Sequence, residues 1–170
     1  MKISYTIATI ENFDEIFNLF QASIKEMVNN GIEQWDSLYP DKQTITNDIY
    51  KEELYIGTIA NTIVVVFVIN EEYDDAYNDV SWHLQTKKFK ILHRLCVNPD
   101  FQNKGIAKIT MKYIEEQLIL KKIDAIRLDA FSNNPYALRL YHSLGFIIVG
   151  ETIFRKGKFL LMEKILNQKL

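Results

Sequence analysis

Six residues between an apolar segment and an amphipathic segment have the spacing of an anion-binding turn. They read Q-x-x-G-x-A, after a predicted strand Phe89–Val97 and before a predicted helix that begins at Gly105. The first N–H groups of a helix have no internal partner, and the helix dipole places partial positive charge there. Small residues at Gly105 and Ala107 let a ligand approach the backbone. The predicted binding residues are Gln102, Asn103, Lys104, Gly105, Ile106 and Ala107.

The spacing of this turn also limits which anion it binds. The chain contains no G-x-G, so the dinucleotide fingerprint is absent, and no G-x-x-x-x-G-K-[ST], so a nucleotide P-loop is not indicated. The alternative is that Gly105 only starts a helix after a turn. The flanking segments must decide between the two.

Composition excludes several classes of function. The 170 residues carry a net charge of −2 without a Lys/Arg cluster, so no nucleic-acid partner is expected. The longest apolar run, Ile63–Ile69, has seven residues, whereas a membrane-spanning helix needs about 20. The N-terminus lacks the features of a signal peptide. We therefore expect a soluble, cytoplasmic protein that neither binds nucleic acid nor spans a membrane.

Cysteine and histidine usage argues against a metal site. Cys96 is the single cysteine, which excludes an intramolecular disulfide and a cysteine-rich metal site. His83 and His142 have no neighbours at metal-ligand spacing, so we predict no metal.

Hydrophobic periodicity predicts one α/β domain of the α+β type, residues 1–170, with a mixed sheet. Glu71–Asp79 is predicted to be an acidic loop, and the secondary structure of Ser81–Thr86 is ambiguous from its pattern. The predicted helices are Phe13 to about Asn29, Asp41–Glu53, Gly105–Lys121 and Tyr136–Ser143. The predicted strands are Ile3–Ala8, Leu54–Ala60, Ile63–Ile69, Phe89–Val97, Asp124–Phe131, Phe146–Phe154 and Lys158–Ile165.

Two flanking patterns give the turn a context. The strand before it ends L-x-V-x-P (Leu95 to Pro99), and the chain continues downstream with N-x-x-A-x-x-L-Y-x-x-L-G-F (Asn134 to Phe146). In this order the chain resembles the GCN5-related N-acetyltransferase (GNAT) family. The resemblance implies a mixed, mostly antiparallel sheet of six to seven strands with helices on both faces. It also implies acetyl-CoA as co-substrate, with its pyrophosphate on the Q-x-x-G-x-A turn.

The resemblance assigns further residues to the acyl donor and to proton transfer. The backbone of Leu95, Cys96 and Val97 would bind the acyl arm and polarise the carbonyl. Asn134 would bind the pantetheine arm, and it is equally suited to cap a helix before Pro135. Tyr141 matches the general acid that protonates the departing thiolate; the alternative is an aromatic residue that fills the core.

The resemblance does not identify a single residue as the general base. Several relatives carry Glu or His on the strand before the L-C-V segment. By alternation, Ile91, His93 and Leu95 share one face of that strand, and His93 is the titratable residue among them, with a suitable ordinary pKa near 6.5. A structural histidine is the alternative. Arg94 would face the other way and pair within the fold, with Asp129 as a candidate.

The acceptor side would be built by the loop Ile32–Pro40 and by segments after the central strands. Trp35 and Tyr39 in that loop, with Trp82 further on, would form an aromatic wall for a cationic amine. The alternative is that Trp35 and Tyr39 pack the corner between two helices.

The resulting hypothesis is an N-acetyltransferase that moves an acetyl group from acetyl-CoA directly to a primary amine, with a small molecule favoured as acceptor. A protein or peptide acetyltransferase and an acyl-CoA-binding regulatory module without turnover are the alternatives. The sequence is compatible with a monomer or a homodimer.

Overall fold

The computed structural model describes residues 2–166; Met1 and residues 167–170, the ends of the predicted domain, lie outside the described residues. Short 3-10 turns cover Ile10–Asn12, Asp75–Asp79 and Pro99–Phe101. The helices are α1 (Phe13–Asn29), α2 (Lys42–Tyr50), α3 (Ile106–Leu120) and α4 (Pro135–Ser143). The strands are β1 (Ser4–Ile7), β2 (Leu54–Ile59), β3 (Thr62–Asn70), β4 (Phe89–Val97), β5 (Ala125–Phe131), β6 (Ile147–Phe154) and β7 (Gly157–Ile165).

The seven strands form one sheet in the order β1-β2-β3-β4-β5-β7-β6. β4 and β5 pair in parallel, and the pairs β1–β2, β2–β3, β5–β7 and β6–β7 are antiparallel. This confirms the predicted class, a mixed and mostly antiparallel sheet in an α/β fold. In the described part of the chain, no helix is long and apolar enough to cross a bilayer.

The chain divides into two compact units. The first contains the residues up to Ile69 together with Arg94–Thr110. Its main core joins α1, α2, β2 and β3, and includes Phe20, Ile45 and Val66. A second cluster places Val64 and Val65 against Ile106 at the start of α3. Val64 to Val68 of β3 are all buried, so this strand is covered on both faces.

The second unit contains Asn70–His93 and the residues from Met111 onward. Its core includes Trp82 and Ile91, and beside it Arg127 lies between the rings of Trp82 and Phe89, at 4.2 and 4.1 Å from the ring centroids. Arg127 Nε also donates to Glu163 Oε1 at 3.0 Å. The two side chains of this ion pair are only 6% and 0% exposed. Arg127 NH2 also donates to the carbonyl oxygen of Leu84 at 2.9 Å, which ties the segment around Trp82 to β5.

Candidate active site

The Q-x-x-G-x-A turn is exposed and has an unusual backbone. Asn103 and Gly105 both have positive φ angles, 58° and 78°. Left-handed residues within a turn can direct backbone N–H groups toward a common point, and α3 starts at Ile106, directly after Gly105. A side chain added at Gly105 would meet nothing within 4 Å. The turn therefore combines a left-handed backbone with open space at a helix N-terminus, as an anion site requires.

Two side chains tie this turn back to the residues that precede it. Gln102 Nε2 donates to the carbonyl oxygen of Val97 at 3.3 Å, and Lys104 Nζ donates to that of Asp100 at 2.9 Å. Lys104 Nζ also lies 4.8 Å from the centroid of the Phe101 ring. These contacts brace the turn against the end of β4 and add a cation beside it.

The residues predicted to bind the acyl arm belong to the end of β4. Leu95 and Val97 pack against the cluster of Val64 and Ile106, whereas Cys96 lies in the main core of the first unit. Burial raises the pKa of the Cys96 thiol to about 12. A thiol that stays protonated and buried is a poor nucleophile, which agrees with the prediction that only the backbone of Cys96 takes part.

Arg94 changes the expected geometry of β4. Its φ angle is +50°, and a left-handed residue interrupts the alternation of a strand. The basis for placing Ile91, His93 and Leu95 on one face is therefore lost. The suggested pairing of Arg94 with Asp129 is also wrong: its NH2 group donates to Asp48 Oδ1 at 2.7 Å, and NH1 donates to the Tyr39 hydroxyl at 2.5 Å.

The acceptor-side residues of the first unit behave differently from one another. Trp35 is only 8% exposed and packs edge-on against Phe20, 5.6 Å between centroids, so its ring fills the core. Tyr39 is 37% exposed and its ring lies over Arg94. It closes a tight turn in which Asp36 and Tyr39 exchange two backbone hydrogen bonds. Of the two, Tyr39 keeps a surface that an acceptor can contact.

Trp82 is also a core residue. It is 8% exposed, its Nε1 donates to the carbonyl oxygen of Tyr77 at 2.8 Å, and its ring covers Arg127. The indole N–H and the ring face both have partners inside the fold. Trp82 is therefore better explained as the packing partner of Arg127 than as part of an acceptor wall.

His93 lies at the point where β4 passes from the second unit to the first. Its Nε2 is 2.9 Å from Asn70 Oδ1 and 3.0 Å from the carbonyl oxygen of Glu72. The ring is partly buried. These contacts fit both the base and the structural histidine that the sequence left open.

Tyr141 and Asn134 belong to α4 and its N-terminal cap. Asn134 Oδ1 accepts from the N–H of Ala137 at 3.1 Å, which confirms the helix-cap alternative. Tyr141 is buried beside Phe146, with 5.5 Å between the centroids. Burial raises the pKa of Tyr141 well above its ordinary value, and the charge of Asp129 raises it further.

Asp129 links Tyr141 to a second tyrosine. The Tyr77 hydroxyl donates to Asp129 Oδ2 at 2.9 Å, and burial followed by the charge of Asp129 raises the pKa of Tyr77. Two buried tyrosines near one carboxylate both keep their protons at neutral pH. Among the described residues, no group of three or more His, Cys, Asp or Glu side chains is placed to hold a metal ion.

Two residues of these constellations were missed by the sequence analysis: Asp48 and Asn70. Asp48 and Asn70 are buried polar residues, a signal that exists only once the fold is known.

A comparison with known protein families identifies the domain that contains these residues. A model of the acetyltransferase (GNAT) family matches residues 11–146. The chain belongs to the GNAT family. That match includes β4, the Q-x-x-G-x-A turn and α4, so the features described above lie within the GNAT domain.

Known proteins with similar sequence or structure agree with this assignment. A probable spermine N(1)-acetyltransferase of Bacillus subtilis subsp. natto is 36% identical over 73 residues, which cover 42% of this chain and 48% of that protein. The matched segment thus spans about half the length of this curated relative.

Two solved structures share the fold over nearly the whole GNAT chain. A GNAT-family acetyltransferase of Streptococcus agalactiae 2603 has a TM-score of 0.87 at 19% identity, covering 98% of this chain and 96% of its own. A PaiA N-acetyltransferase of Thermoplasma acidophilum, solved in complex with coenzyme A, has a TM-score of 0.72 at 19% identity, covering 97% and 99%.

Proposed function

We propose that this GNAT protein is an N-acetyltransferase that moves an acetyl group from acetyl-CoA directly to a primary amine of a small molecule. The observation that carries the proposal is the exposed turn with positive φ at Asn103 and Gly105, which opens helix α3. We further propose that residues 1–170 act as one domain, in the cytoplasm, as a monomer or a homodimer.

The residues that would hold the co-substrate fit its chemistry. A pyrophosphate needs converging N–H donors and no obstructing side chain, and residues Gln102–Ala107 would offer both. Lys104 adds a positive charge beside the turn. The backbone of Leu95, Cys96 and Val97 would bind the acyl arm, with an N–H of this stretch polarising the thioester carbonyl. Asn134, whose Oδ1 caps α4, would also bind the pantetheine arm.

The reaction requires a base and an acid. The amine lone pair attacks the carbonyl carbon, the C–S bond breaks, one proton leaves the amine and one proton reaches the departing thiolate. Tyr141 suits the role of the acid, since its raised pKa keeps the proton in place at neutral pH until a thiolate forms. The neighbouring Asp129 charge disfavours a lasting tyrosinate, so Tyr141 would recover a proton before the next turnover.

His93 is the proposed base. A neutral imidazole accepts a proton directly or through water. The polar anchorage of its Nε2 supports this role because a base must hold a fixed orientation.

Of the three aromatic residues expected on the acceptor side, only Tyr39 would contact the acceptor. The rings of Trp35 and Trp82 are buried in the core. Tyr39 offers a phenol ring at the surface of a tight turn, and a ring face attracts the methylenes and the charge of an amine. The similarity to a spermine acetyltransferase makes spermine the first candidate acceptor.

The test mixes the protein with acetyl-CoA and a panel of acceptors while free thiol is followed. The panel contains spermine, simpler diamines and peptides with a free N-terminus or a lysine. Thiol release with spermine or another small amine supports the proposal. Release with peptides alone would replace it by a protein acetyltransferase, and acetyl-CoA binding without release would replace it by a regulatory module.

A further inference from the structure

The hydrogen bonds of His93 define which of its ring nitrogens carries a proton. Its Nε2 lies within hydrogen-bond distance of two oxygens, Asn70 Oδ1 at 2.9 Å and the Glu72 carbonyl at 3.0 Å. A carbonyl oxygen only accepts hydrogen bonds. The nitrogen must therefore be the donor in the contact with Glu72.

The orientation of the Asn70 amide is fixed by a second donor. The backbone N–H of Glu72 donates to Asn70 Oδ1 at 3.1 Å, so the atom at this place must be the oxygen and not the amide nitrogen. The same oxygen thus accepts from Glu72 N–H and from the ring of His93. Both of these contacts of His93 Nε2 are therefore with hydrogen-bond acceptors.

We propose that Asn70 is a positioning residue that holds His93 in the form with a proton on Nε2, so that the ring takes up and releases its catalytic proton at Nδ1. The base role of His93 rests on the proposed function, whereas the protonation of Nε2 rests on the contacts alone. Any proton that the ring gains from the amine then sits on Nδ1, with Nε2–H kept in both protonation states.

The chemical type of residue 70 matters for this role. An amide oxygen accepts the ring N–H without adding a charge, so the neutral imidazole that a base requires is not penalised. A carboxylate at the same place would favour the imidazolium. Asn70 is only 5% exposed and ends β3, and Glu72 follows it in a turn closed by the same oxygen. The acceptor pair is thus held by the backbone itself.

The direct test is a one-bond N–H correlation spectrum of the imidazole rings in ¹⁵N-labelled protein. We expect a ring N–H signal from Nε2 of His93, because a hydrogen-bonded proton exchanges slowly, and no such signal from the exposed His83 and His142. The variant His93→Gln assigns the signal. A signal from Nδ1, or none from His93, overturns the inference.

Two substitutions at position 70 separate positioning from general stability. Asn70→Ala removes the side-chain acceptor and should weaken or abolish the signal. Asn70→Asp keeps an oxygen at the same place and should retain it. If Asn70→Asp also loses the signal, or if a folded Asn70→Ala keeps it unchanged, Asn70 is not the anchor.

A double-variant cycle adds the kinetic readout. Losing one hydrogen bond to the base should lower kcat about three- to tenfold in Asn70→Ala, and should have no effect in a His93→Gln background. An equal loss in both backgrounds would show that Asn70 acts independently of His93 and would overturn the positioning role. If His93→Gln alone leaves kcat unchanged, the base assignment of the proposed function fails, and the ring signal then decides the protonation separately.

Discussion

Arg94 and Asp48 form a buried ion pair, with 2.7 Å between NH2 and Oδ1. Arg94 stands directly before the segment proposed to bind the acyl arm, and its positive φ angle is unusual for a residue with a side chain. The pair and the additional hydrogen bond to Tyr39 hold this backbone against α2 and the turn that precedes it. The shape of β4 at the proposed acyl site thus depends on charges that pack within the first unit.

The first prediction concerns the stability that this pair provides. Asp48→Leu should lower the free energy of unfolding by about 3–5 kcal/mol, because it leaves a buried guanidinium uncompensated. The control is Glu151→Leu, which removes the partner of Lys158 in an exposed pair and should cost less than about 1 kcal/mol. Urea unfolding of both variants measures the difference. Equal effects would show that the buried pair has no special role.

Tyr141 provides the test of the proton donor. Tyr141→Phe should lower kcat at least about tenfold with little change in the KM for acetyl-CoA, since general acid catalysis contributes at least that much. Tyr136→Phe, on the same helix but 60% exposed, is the matched control and should leave kcat unaltered. A Tyr141→Phe protein with the original kcat would remove this hydroxyl from the mechanism.

Gly105 and Gly31 form a matched pair for the turn. Both have positive φ, 78° and 73°, and both have open space where a side chain would be added. Glutamate should therefore strain the backbone similarly at either position. Only Gly105→Glu should abolish acetyl-CoA binding, through steric block and charge repulsion. Calorimetric titration of the two variants measures this, and retained binding by Gly105→Glu would refute the turn as the pyrophosphate site.

Cys96 should be unreactive in the native protein. Burial raises the pKa of its thiol to about 12, above the ordinary value near 8.5, so the thiolate fraction is very small at pH 8. An alkylating reagent should label Cys96 only after denaturation, as followed by intact-mass measurement. Rapid labelling of native protein would contradict the burial of this part of β4. For the same reason, the Cys96 thiol should not react with the thiol reagent in assays that follow CoA release.

The sequence predicted the segments whose signals are local. Strand Phe89–Val97 was predicted with the bounds that the structure has, and the helix after Asn134-Pro135 starts and ends where its cap and its glycine require. Gly145 takes a φ of +86°, as expected of a glycine after a helix. The turn before α3 was likewise identified from its spacing.

The features that were missed depend on distant residues. The left-handed backbone at Arg94 accompanies contacts with Asp48 and Tyr39, which stand 46 and 55 positions earlier in the chain, and no local pattern reports them. Trp82 was expected in an acceptor wall, and Trp35 either in that wall or at a corner between two helices, because the sequence pattern does not report burial. Asn70 looked like an ordinary strand end until its oxygen was seen to accept from His93.

Direct acetyl transfer to an amine is tested most directly by mass spectrometry with acetyl-CoA labelled in the acetyl group. The account predicts that, with an accepted amine, each thiol released is matched by one labelled acetyl group on the amine nitrogen, and that the protein, including Cys96, stays unmodified. Thiol release without a labelled amine, or label that passes through the protein, would contradict it.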